Sequence, residues 1–217
     1  LGLLYKQSRN FVKSAESLGR ALEMLPADAQ TIGGLRFEIE NELSSHAGVK
    51  YCLGLASLLL AHPDKAEIRF FQAIELEAPP FDRILAALET AAEPCPNGDF
   101  LRGEILARSG RAADGATLMR AHLFPDAAAD QTGNGPREDR LRLAEKRLAA
   151  LPDAVFAAPE LSFLYCDVAS ALGLANRAIA VLERIAGSEP SATGPVISWR
   201  ERNGASALTA PGQNLLA

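Results

Sequence analysis

The stretch YCLGLASLLLAHPDKAEIRFFQAIELEAPP, Tyr51 to Pro80, decides the fold. Two apolar blocks of near-equal length flank AHPDK, and the second stops at Pro79-Pro80. Within each block the apolar positions recur at three- and four-residue spacing, the period of a helix with one buried face. Small residues lie inside both blocks: Gly54 and Ala56 in the first, Ala66 and Ala73 in the second. Two antiparallel helices joined by a short turn approach closely only if small side chains occupy their crossing. On this reading Gly54 and Ala66 supply the gap and Phe70 fills the space beside it. One such hairpin is marginal by itself. Stacking several buries a continuous core, so the unit is expected to recur.

It does recur. LGLLYKQSRNFVKSAESLGRALEMLP from Leu1, RGEILARSGRAADGATLMRAHLFP from Arg102 and YCDVASALGLANRAIAVLERIAGSEP from Tyr165 follow the same scheme. Each has an apolar helix containing a small residue, a short turn, a second helix opening on a small residue, and a large apolar residue four positions on. Each stops at or near proline. The unit resembles the tetratricopeptide repeat, a helix-turn-helix of about 34 residues. Leu53-Gly54, Ala66, Phe70, Ala73 and, displaced by one, Pro79 carry the resemblance best. Leu1-Gly2, Tyr5, Ser14, Leu18, Ala21 and Pro26 carry it in the first segment. Gly110, Gly115 and Met119 do so in the third, and Gly173, Ala178, Leu182 and Pro190 in the fourth. The family's large early aromatic is weak, with Tyr51, Phe100 and Phe163 standing in for it.

The matched pieces cover roughly half the chain, and their spacing is irregular. Extra helices are predicted over Asp28–Ser44, Phe81–Ala92 and Arg137–Ala150. The pair Gly33-Gly34 should make the first of these irregular or delay its start, because glycine costs about 1 kcal/mol relative to alanine in a helix. The resemblance implies an all-α fold, a right-handed α-solenoid of antiparallel helix pairs over residues 1–187. Residues 188–217, opening with SEPSATGP, read as a linker or poorly ordered tail. Val196 to Trp199 could form one short strand, which builds no sheet. Trp199 is the exception in that tail, since a lone tryptophan there often docks on something.

The 217 residues are 48% hydrophobic and 23% charged, which suits a globular chain able to bury a core without staples. A net charge of -5 argues against a nucleic-acid footprint. The densest basic run, PREDRLRLAEKRLAAL from Pro136, mixes both signs and reads as a solvated face with local ion pairs. Cys52, Cys95 and Cys166 are odd in number and far apart, suggesting neither disulfides nor a metal site. They lean towards a reducing, cytoplasmic setting. No apolar run reaches the ~18 to 20 residues of a membrane span. The chain opens at Leu1 within a helical pattern and reads as a piece of a longer polypeptide.

Catalytic signatures are not visible. His46, His62 and His122 are isolated, and the Gly-rich GNGP lacks a strand before it or a Gly-Lys-Ser after it. No catalytic residue, cofactor or metal is expected. The resemblance implies instead a protein–protein interaction scaffold whose groove, lined by the first helix of each pair, holds a peptide or helix of a partner. Candidate lining residues on the exposed face of those helices are Lys6, Gln7, Tyr51, Leu55, Glu104, Arg108, Phe163 and Asp167. A clamp for a terminal carboxylate, which in this family uses Lys and Asn, is not expected with Tyr51, Leu55, Phe163 and Asp167 in those places. The alternative is a regulatory or substrate-presenting arm of a larger enzyme. Bacterial proteins resembling this chain join such repeats to glycosyltransferase, sulfotransferase or methyltransferase domains.

Overall fold

The computed structural model describes residues 11–24, 30–34, 46–125, 137–188 and Trp199. Every regular element among them is helical. Besides a helical piece at residues 30–34, the described helices are α1 Phe11–Met24, α2 Ala47–Leu59, α3 Pro63–Ile74, α4 Phe81–Thr90, α5 Gly98–Arg108, α6 Ala112–Leu123, α7 Arg137–Ala149, α8 Asp153–Phe156, α9 Pro159–Ala171 and α10 Ala175–Ser188. The expected helix at Leu1, most of Asp28–Ser44, the strand alternative at Val196 and most of the tail lie outside the described residues. Residues 30–34 are helical, and they include Gly33-Gly34. The helix therefore does not wait until after the glycines to start.

The chain forms two compact units, Leu1–Leu101 and Arg102–Ala217. Three helical hairpins, α2–α3, α5–α6 and α9–α10, share one turn. In the first, the amide of Ala61 donates to the carbonyl of Leu58 (3.0 Å) and that of His62 to Ser57 (2.9 Å). Gly110 to Ala107 (3.2 Å) and Arg111 to Leu106 (2.9 Å) repeat this. Gly173 to Ser170 (2.9 Å) and Leu174 to Ala169 (2.7 Å) repeat it again. This crossed pair of bonds is the Schellman closure, which needs a left-handed residue just past the helix end. Gly110 (φ 87°) and Gly173 (φ 72°) meet that demand at no steric cost, whereas Ala61 adopts it at φ 55°. In each hairpin the next residue, His62, Arg111 or Leu174, leads straight into the returning helix.

Counting back eight residues from that position finds Gly54, Gly103 and Cys166; counting forward four finds Ala66, Gly115 and Ala178. These are the crossings. A Cβ on Gly54 would overlap the Phe70 ring, and one on Gly103 would lie 2.7 Å from the Gly115 carbonyl oxygen. Cys166, the largest of the three, directs its thiol at the Ala178 carbonyl, 3.5 Å away. Four residues further on, Phe70, Met119 and Leu182 are fully buried. The small-large alternation expected from Tyr51–Pro80 thus holds in register in all three hairpins.

The helix boundaries shift slightly from the sequence reading. α2 starts at Ala47 because His46 caps it, its Nδ1 accepting from the Gly48 amide at 3.2 Å. α3 starts on Pro63, whose missing N–H costs nothing in a first turn. The short helix α8, in the stretch after Leu151, had no distinct sequence signal.

Around these hairpins each unit builds its own core. In the first, α1 packs on α2 and α2 on α3. Glu67 of α3 accepts from the backbone amide and the side-chain amide of Asn97 at 2.5 and 2.8 Å, fastening α3 to the turn before α5. In the second unit α9 is central, touching α6, α7, α8 and α10. Phe156 meets the Tyr165 ring edge-on at 5.6 Å, and Ser162 donates to the Phe156 carbonyl at 2.8 Å.

Candidate functional site

The first helices of the hairpins carry the residues nominated from sequence, and the structure puts them in different environments. Lys6 and Gln7 lie outside the described residues. Tyr51 is 1% exposed and Leu55 is buried. The Tyr51 hydroxyl donates to Glu23 of α1 at 2.6 Å, and its ring stacks on Phe70 at 6.1 Å. The Arg83 guanidinium lies 4.5 Å over that ring while bonding Glu23 at 2.9 Å. Burial first, then the Glu23 contact, pushes the phenol well above its ordinary range. Tyr51 therefore ties α2 to α1, α3 and α4 instead of standing on an open wall.

Glu104 is likewise 1% exposed. It accepts a two-pronged bond from Arg147 of α7, at 2.9 and 2.7 Å, and a third from Arg108 one turn along, at 2.9 Å. Both oxygens are thus engaged by guanidinium groups, the geometry in which arginine binds carboxylate best. Arg108 keeps 12% of its side-chain surface. The sequence reading placed Glu104 on an exposed face; the structure places it inside. That reading also took the basic run after Pro136 as a solvated face. The Arg142–Glu138 pair is indeed exposed, at 2.6 Å. Arg140 and Arg147, seven residues apart and so on one helical face, are instead buried. Leu141, Ala144 and Leu148 mark that inward side at helical spacing, but the arginines beside them read as solvent-facing because their charge gives no sign of burial.

Phe163 and Asp167 behave differently. They lie one turn apart on α9, both only partly covered. Asp167 forms an ion pair with Arg120 of α6 through Oδ2, and its Oδ1 accepts the indole N–H of Trp199. Trp199 is 5% exposed. The expectation that this tryptophan docks is met, and it docks on a residue nominated for binding. Arg120 reaches the carboxylate from the second helix of one hairpin, Asp167 sits on the first helix of the next, and Trp199 comes from 32 residues along the chain.

On another side of the same unit a cavity of about 760 Å³ opens between α7 and the α9–α10 turn. Leu141, Leu172 and Leu174 give it an apolar floor, and Arg137, Arg142 and Arg177 line its rim. Glu145 joins this rim, accepting from the Tyr165 hydroxyl at 3.1 Å and pairing with Arg177. The phenol of Tyr165 is raised by burial and then by Glu145.

The remaining reactive groups are buried and quiet. Cys52, Cys95 and Cys166 are free and buried. Burial pushes the thiols of Cys52 and Cys166 up to about 12, so neither is a thiolate near neutrality. Among the described residues no three His, Cys, Asp or Glu side chains group in a way that could hold a metal ion. No described helix is long and apolar enough to cross a membrane. No protein-family model, curated protein or solved structure matches the chain.

Proposed function

We propose that the chain is a protein–protein interaction scaffold. Its tetratricopeptide-like hairpins stack as a right-handed solenoid, and α9, the first helix whose nominated residues are only partly covered, holds a peptide or helix of a partner. The role is binding, with no chemical step assigned to any residue. One observation carries this reading. The α9 face at Asp167 receives a side chain from a distant stretch of the chain, and buries it. A helix face that accepts one foreign segment has the shape and the polar anchor to accept another. The repeated turn and crossing support the family likeness, because three hairpins with one internal geometry are what stacking requires.

Selection from a random peptide library displayed against the full chain tests the reading. The expected result is a family of related peptides binding in the micromolar range, weakened about tenfold or more by Phe163→Ala, since truncating a central aromatic anchor costs 1 to 2 kcal/mol or more. Failure to enrich any peptide family over several rounds would overturn it.

A further inference from the structure

Asp167 accepts the indole N–H of Trp199, and the chemistry of the pair suits a tryptophan. Its carboxylate is oriented by Arg120 through one oxygen, leaving the other to accept an N–H. Indole is a donor-only aromatic: it brings a large apolar ring and one N–H, and no lone pair that would oppose a carboxylate. Phenylalanine fills such a place without the hydrogen bond. The bond matters more here than at the surface, because the ring is almost wholly covered and an acceptor without its donor would be left in a poorly hydrated spot.

We propose that this socket is the anchor site for a tryptophan-bearing peptide of the partner, and that Trp199 occupies it in cis until the partner arrives. The proposal rests on the scaffold reading and names both its anchor and its regulation. Trp199 is the only tryptophan of the chain and follows Val196-Ile197-Ser198 and precedes Arg200-Glu201-Arg202 in sequence. A tethered ligand is present at a high effective concentration, so a partner must outcompete it. The apparent affinity of the free peptide falls by the fraction of chains whose socket is open. Removing the indole therefore strengthens binding in trans; a merely structural tryptophan would also let its own peptide rebind, but would leave library-selected partner peptides indifferent to Asp167.

The test uses the full chain and a fluorescently labelled peptide of residues 195–203, PVISWRERN. The peptide is expected to bind the Trp199→Ala chain at least about tenfold more tightly than the wild type, as a socket mostly closed in cis requires. Asp167→Ala added to Trp199→Ala should abolish that binding. The single tryptophan gives a second readout. Its emission should be shielded from acrylamide in the wild type and become accessible in Asp167→Ala. Equal affinity for wild type and Trp199→Ala, or no binding to either, would overturn the proposal. Should Trp199→Ala fail to fold by circular dichroism, Trp199→Phe keeps an aromatic ring without the N–H, and a smaller but measurable gain over wild type is required of it. If library-selected peptides bind but ignore Asp167 and Trp199, the scaffold stands and the socket falls. If PVISWRERN binds as described while no library family emerges, Trp199 makes a self-contact only, and the proposal fails together with the scaffold reading.

Discussion

Single positions carry most of the geometry. Gly54 is one: Gly54→Ala pushes a methyl group into the Phe70 ring and should destabilise by about 1–3 kcal/mol. Combining it with Phe70→Leu should recover part of that loss, a coupling read from a double-mutant denaturation cycle. Ala61 is the opposite case. It holds a left-handed conformation that glycine holds in the other two hairpins, so Ala61→Gly should raise stability by up to about 1 kcal/mol in a urea melt. Glu67 supplies a pH signature. Burial, opposed by its two bonds to Asn97, leaves its carboxyl above the ordinary 4.5. The folded state thus holds this proton more tightly than the unfolded chain does. Its contribution is complete below about pH 4.5 and is lost as pH rises through the folded value. Stability measured against pH should show that decline in the wild type, and Glu67→Gln should remove it.

At the level of elements, the hairpins were legible and their joints were not. Small residues at Gly54, Ala66 and Gly115 announce a close crossing because nothing larger fits there, so Tyr51–Pro80 could be read directly. Polar side chains give no such sign. Arg147 and Glu104 lie 43 residues apart, on faces that each read as solvent-facing, and only the fold brings them together. The same blindness put Tyr51 and Glu104 on an open face, since a periodic pattern shows that a helix has two sides without saying which neighbour covers a polar one. Asp167 and Trp199 were each singled out, one as a groove residue and one as a docking aromatic, but nothing in the sequence paired them. The joint between α5 and α7 has a measurable weight. Arg147→Ala leaves Glu104 buried with one guanidinium in place of two, and should cost about 3 kcal/mol, less than complete loss of the pair but far more than a surface bridge. Arg142→Ala, on the exposed side of the same helix, should cost under about 1 kcal/mol.

For the molecule as a whole, the central proposal is that a partner peptide lies along α9 at the Asp167 face. Hydrogen exchange measured by mass spectrometry, on the full chain with and without a saturating library-selected peptide, tests it most directly. The account predicts new protection in Pro159–Ala171, with the returning helix Ala175–Ser188 little changed. Protection confined to the returning helices, or none anywhere despite saturation, would contradict it.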